Sequence, residues 1–227
     1  MNKGTSMKPL SLIIPSTLFL GAISTASLGM RAHAQGDASK VDLSVLGSLV
    51  RNNPKGDYKY PGGSKFTRSG SRAYVNHFAR KLAQVDSEIP AYEDVINQGI
   101  RVWEEQEGRN GYTNDLAGGL AFYTMVNVGL GSNKPYEENY LGNMVAQFRK
   151  AFCAKQIAGM SAAKKQNMYD YMITESVYMQ ALASAGQERA KSDPAGQLEK
   201  IGSMQIRNTF GYDASKMSIG VEGVSFR

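Results

Sequence analysis

Eighteen consecutive residues, Leu116 to Asn133, carry no charge. Few folds accommodate such a run. It holds Gly118, Gly119, Gly129 and Gly131 together with Thr124 and Asn127. A bilayer span needs ~20 strongly apolar residues, and this stretch is too weakly apolar to be one. A helix that is apolar on every side must instead be surrounded by other protein elements. Asn114 reads as its N-cap, with Asp115 in the first turn. Ala117, Gly118 and Ala121 carry little bulk, so neighbouring helices can approach closely.

The flanking sequence supplies those neighbours. Asp42 is placed to cap a short helix over Leu43–Val50, whose Leu43, Leu46, Leu49 and Val50 share a face. Tyr74, Val75, Phe78, Leu82 and Val85 form a stripe at helical spacing. Pro90 suits a first helical position, and Tyr92, Ile96, Ile100 and Trp103 continue one face. Pro135 and Glu137-Glu138 open a further helix with the stripe Leu141, Met144, Val145, Phe148 and Phe152, and with Arg149, Lys150 and Lys155 late in it. Acid first and base last agree with the helix dipole. Gly159 is read as its end. Ser161 caps a long helix rich in Met and Tyr that is expected to stop at Gly186. Asp193-Pro194 opens a last helix that runs to about Thr209, before Gly211. Met217, Ile219 and Val221, then Val224 and Phe226, read as an extended segment, and a strand needs a partner, the N-terminal tail being one possibility. The predicted fold class is all-α. It is a bundle of about five to six helices within residues 71–227, preceded by a flexible tail and linker over 35–70 and followed by a short extended C-terminal segment.

Residues 1–34 read as a cleavable export signal. Lys3 and Lys8 precede an apolar stretch from Leu10 to Ile23, and Ala32-His33-Ala34 supplies the small residues a signal peptidase needs. Three bases and no acid lie in this segment, so its removal takes the formal charge from +6 to +3. That balance gives no argument for nucleic acid as a partner. The 193 residues that remain can bury one core. With Cys153 as the only cysteine, no internal disulfide forms, and an exported chain of this kind relies on packing. His77 is the only histidine after residue 34, which argues against structural zinc and points to no cofactor.

Candidate chemistry is sparse. From Arg51 to Arg72 six bases and one acid are interleaved with Tyr58, Tyr60 and Phe66. Bases among aromatics suit a polyanion, although short charge runs ordinarily serve solvation. His77 lies near Ser69 and Ser71, without an identifiable third group. Cys153 sits between Lys150 and Lys155, where a thiolate is favoured, but a lone cysteine is more often a small buried hydrophobe. Glu104, Glu105 and Glu107 cluster at a helix end, where carboxylates are ordinarily just solvated. Glu175-Ser176 is the sharpest enzymatic lead. It resembles the Glu-Ser of lytic transglycosylases, exported enzymes that cleave cell-wall glycan with a glutamic acid of raised pKa. Ser184 follows at a spacing that fits, and Tyr171, Tyr178 and Leu182 share the face of Glu175. Against this, Arg189-Ala190-Lys191 stands where that family carries Gly-Leu-Met-Gln, and a two-residue motif recurs by chance.

Two further segments carry a broader resemblance: Thr113-Asn114-Asp115-Leu116-Ala117, opening the Gly/Ala-rich helix, and Lys164-Lys165-Gln166-Asn167-Met168-Tyr169-Asp170, opening the long one. From about Phe66 to the C-terminus the chain resembles a family of uncharacterised exported bacterial proteins classed as a domain of unknown function. The resemblance implies a helical fold and export, and no activity. The function expected from sequence is a binding or structural role in the cell envelope or outside the cell, with another envelope protein or a cell-wall polymer as partner. The alternative is a glycan-cleaving enzyme using Glu175.

Overall fold

A computed structural model describes residues 41–70, 72–132, 139–189 and 196–227. The export signal, the helix start expected at Pro135–Glu138 and the cap expected at Asp193-Pro194 lie outside the described residues. Among those described, eight α-helices follow one another. They are α1 (Ser44–Asn52), α2 (Ala73–Leu82), α3 (Ile89–Glu107), α4 (Leu116–Ser132), α5 (Tyr140–Ala151), α6 (Lys155–Ala158), α7 (Ala162–Arg189) and α8 (Gln197–Phe210). The chain ends in an antiparallel hairpin of β1 (Met217–Gly220) and β2 (Gly223–Phe226).

The uncharged run is the centre. From Leu116 to Val128 every residue of α4 is buried, and α5, α7 and α8 pack around it. Its small residues set the distances. A Cβ at Gly202 of α8 would stand 2.6 Å from the Asn127 carbonyl oxygen, and one at Gly131 would stand 2.7 Å from the Ser203 nitrogen. Backbone therefore meets backbone where α4 and α8 cross. A Cβ at Gly119 would stand 2.9 Å from the ring of Tyr169 on α7. Trp103 ties α3 to the same centre. Its ring stacks on Phe122 at 4.2 Å and its indole N–H donates to the Tyr169 hydroxyl at 2.9 Å. A buried indole requires such an acceptor.

The start of α4 differs from the sequence reading by one residue. Asn114 does not cap it. Asn114 adopts a left-handed conformation (φ 53°), which asparagine tolerates better than most residues. Asp115 takes over: its Oδ1 accepts the Ala117 N–H at 2.9 Å, and its Oδ2 accepts Nε of Arg149 at 2.7 Å. The Ser64 carbonyl accepts the Leu116 N–H at 3.0 Å.

Residues 41–70, expected to be a flexible tail, are docked instead. Leu46 and Val50 of α1 are buried, and Gly47 sits directly against the Thr209 carbonyl of α8. The following loop hangs on the α5–α6 turn, where the Asp57 N–H donates to the Cys153 carbonyl at 2.6 Å and Asn53 Nδ2 to the Ala151 carbonyl at 2.9 Å. Backbone hydrogen bonds fasten this segment, and composition carries no trace of them.

Three other expectations shift. Val85 lies beyond α2 and is 56% exposed, because the chain turns through Asp86–Glu88 before α3 begins. The helix expected to end at Gly159 already stops at Ala151, and Lys155–Ala158 is a separate short turn of helix. The long helix continues through Gly186 to Arg189, whereas Gly211 takes the left-handed conformation (φ 73°) that ends a helix and terminates α8. Ser161 does serve α7, accepting the Lys164 N–H at 3.3 Å.

The C-terminal strand finds its partner within the tail itself. β1 and β2 pair from Met217↔Phe226 to Gly220↔Gly223, and among the described residues no other strand joins them. Gln147 of α5 then closes the outer edge of β2: its Nε2 donates to the Val224 carbonyl at 2.8 Å and its Oε1 accepts the Val224 N–H at 2.7 Å. One side-chain amide thus substitutes for a third strand. No helix among the described residues is long and apolar enough to cross a membrane.

Candidate functional site

Tyr171, Glu175 and Tyr178 recur along α7 at intervals of four and three residues, which puts them on one face. Tyr74, Phe78 and Lys81 recur in the same way along α2. The two helices run alongside each other, so the rows meet rung by rung. The rings of Tyr74 and Tyr171 pack edge to face at 5.1 Å, and those of Phe78 and Tyr178 at 5.3 Å. Between these rungs the Tyr74 hydroxyl donates to Oε1 of Glu175 at 3.1 Å. Deeper in, Tyr123 of α4 lies 6.1 Å from Tyr171, and both hydroxyls donate to Oε1 of Gln205 on α8, at 2.7 and 3.3 Å. Four helices therefore converge on one half-buried carboxyl group walled by tyrosines.

This setting changes the acid. Burial raises the pKa of Glu175 from its ordinary value near 4.5 to about 7, while the hydrogen bond from Tyr74 and the charge of Lys81 pull the other way. Desolvation dominates because most of the wall is carbon. The surrounding phenols respond in kind: burial first pushes Tyr74, Tyr171 and Tyr178 upward, with the Glu175 charge next at Tyr74 and Tyr171 and behind Tyr92 at Tyr178, so all remain protonated. Near neutral pH the site holds a carboxyl poised between acid and base.

A stability signature follows. Below pH 4.5 Glu175 is protonated in both folded and unfolded chains. Between 4.5 and about 7 the folded protein retains a proton that the unfolded chain releases, so stability falls as pH rises through this window and levels off above it. Partial exposure of the group reduces the full linkage value, leaving about 2 kcal/mol. Urea unfolding of the parent and of Glu175→Gln at pH 5 and pH 8 measures it. The parent is expected to lose about that much more than the variant. Equal losses would exclude a raised pKa.

The remaining sequence candidates fall elsewhere. Ser176 is fully buried and donates to the Met172 carbonyl at 2.7 Å, so its hydroxyl faces away from Glu175's surroundings and into its own helix. The side chain of Ser184 lies outside the described residues. The His77 ring stands 6.1 Å from that of Tyr74, at the rim of the tyrosine wall. Its proposed partner Ser71 lies outside the described residues, and the Ser69 N–H is bound to Gln166. The Cys153 thiol donates to the Arg149 carbonyl at 3.5 Å. Glu104 is not free to take a cation, because it pairs with Arg72 at 2.5 Å and Arg68 at 3.5 Å, and Arg68 also holds Asp170 at 2.9 Å. Among the described residues no group of three or more His, Cys, Asp or Glu side chains is arranged to hold a metal ion. Tyr74, Phe78, Tyr123 and Gln205 belong to the site although sequence reading did not place them there. The matching spacing of the rows on α2 and α7 was the available signal.

The class defined by these features is an all-helical bundle with a protonatable carboxyl in a tyrosine-lined seam. The chain belongs to DUF6683, a family of unknown function, whose model matches residues 48–227. No curated protein and no solved structure matches it.

Proposed function

We propose that this protein is exported and acts by binding in the cell envelope, with cell-wall glycan as its ligand and the seam around Glu175 as the contact. The observation that carries the reading is the single half-buried carboxyl set among the partly exposed rings of Tyr171 and Tyr178. Aromatic rings offer apolar faces to the C–H surfaces of pyranose rings, and a carboxyl group with phenols beside it offers hydrogen bonds to sugar hydroxyls and N-acetyl groups. Export rests on residues 1–34, and the mature chain is expected to begin at Gln35. Its detection by N-terminal sequencing of the exported protein tests that part alone.

Calorimetric titration with soluble cell-wall fragments tests the site. Saturable binding is expected, weakened at least tenfold by Tyr171→Ala, with the tryptophan signal of the fold unchanged. Binding that is absent, or indifferent to Tyr171 and Glu175, rejects it. One observation favours a second reading, a glycan-cleaving enzyme of lytic transglycosylase type: the neutral fraction of Glu175 near pH 7 suits a general acid. The buried Ser176 argues against it, since its hydroxyl is committed to the Met172 carbonyl. Release of soluble glycan from purified cell wall, lost in Glu175→Gln, would establish turnover; tight binding without release supports the binding role.

A further inference from the structure

The docking of residues 53–65 onto the α5–α6 turn has an electrostatic consequence. It brings Lys55, Lys59 and Lys65 to the corner that already carries Lys150, Lys155 and Lys164, and all six are exposed. The loop is held there at several points. Besides the Asp57 and Asn53 contacts, a Cβ at Gly56 would stand 3.1 Å from that of Cys153. A Cβ at Gly63 would stand 3.1 Å from the Phe152 carbonyl, and the buried Lys165 donates its Nζ to the Gly63 carbonyl at 2.6 Å. Against seven lysines in residues 53–65 and 150–165 stands one acid, Asp57. These two segments therefore carry +6, while residues 35–227 as a whole carry +3, so the rest of the chain is net −3. Tyr58 stands out from the corner with 79% of its surface exposed. A solvated linker does not explain this arrangement, because the loop is fastened to the segment that carries the other lysines.

We propose that this corner docks the protein peripherally on an anionic lipid bilayer surface. Lysines are compact point charges that respond to the diffuse field of anionic headgroups, each adding a comparable increment near the surface. Phosphodiester recognition in nucleic acid favours arginine forks. The one arginine of this turn, Arg149, is turned inward to Asp115 and the Gly111 carbonyl. A lone projecting tyrosine, apolar in body and polar at its tip, matches the headgroup layer, whereas single-stranded polyanions are held by successive stacking rings. The inference is independent of the Glu175 seam and of its ligand.

Vesicle co-sedimentation of the full chain tests it. The parent is expected to bind phosphatidylcholine vesicles containing one third phosphatidylglycerol, and to be released as salt screens the charges. Reversal of Lys55, Lys59, Lys150 and Lys155 to Glu is expected to lower that binding about a hundredfold or more. Reversal of four exposed bases elsewhere, Arg101, Arg109, Lys200 and Lys216, lowers it far less. Because residues 1–34 are identical in all three proteins, any affinity of that apolar segment cancels. Unchanged circular dichroism and melting establish that the variants are folded. Equal losses in the two reversed proteins reduce the effect to net charge and overturn the proposal. So does binding that ignores phosphatidylglycerol, or a parent that binds long-chain polyphosphate but not vesicles.

Discussion

Ala121→Asp abolishes the cooperative thermal transition of the protein, whereas Lys200→Asp, at an exposed position of α8, leaves it unchanged. Ala121 is fully buried in a helix with α5, α7 and α8 packed around it. A carboxylate there loses its water without gaining a partner, and it adds volume at a fully buried position of the packed centre. Each effect alone is worth a few kcal/mol. Together they exceed about 4 kcal/mol, a loss that rivals the whole stability of a domain at the lower end of the usual range of about 5–15 kcal/mol. Were α4 apolar because it meets a partner, the variant would melt like the parent and lose association instead. Differential scanning calorimetry of parent and both variants separates the two outcomes.

Arg149→Ala costs about 3–5 kcal/mol, because it strands a buried charge. Asp115 is fully buried, and its two oxygens are divided between the Ala117 N–H and the Arg149 guanidinium. The same guanidinium lies over the Tyr112 ring at 5.6 Å and binds the Gly111 carbonyl, so it braces the turn that leads into α4. Adding Asp115→Asn to Arg149→Ala is expected to recover part of the loss. Asparagine keeps an acceptor for the Ala117 N–H and removes the orphan charge. Urea denaturation midpoints at constant slope report both variants. A loss below about 1 kcal/mol for Arg149→Ala would mean that solvent compensates Asp115 in the variant.

Much of the fold was legible residue by residue. The stripe Leu141, Met144, Val145, Phe148 and Phe152 is buried throughout, and so are Ile96, Ile100 and Trp103. Local rules also carried the Ser161 cap and the Gly211 stop. They failed where two adjacent residues offer the same chemistry, as Asn114 and Asp115 do, because the choice was made by Arg149, 34 residues away. The hairpin was only half legible: alternation marked the strands, but nothing local indicated that Gln147 would close one edge from 77 residues away.

By its sequence alone the chain had to bury the run from Leu116 within other helices, since eighteen uncharged residues too weakly apolar for a bilayer have no other stable environment. Sequence likewise set which face of each helix turns inward, because periodicity is a property of neighbours three and four residues apart. The character of Glu175 was not determined in this way. A carboxyl is ordinary until desolvated, and the desolvating ring of Tyr74 arrives from 101 residues away. The lysine corner has the same origin: Lys55 and Lys150 add their fields only because hydrogen bonds from the Asp57 N–H, the Asn53 amide and the Lys165 ammonium fold one segment onto the other. Charge and burial act through space, so what a side chain can do here was decided by the tertiary structure.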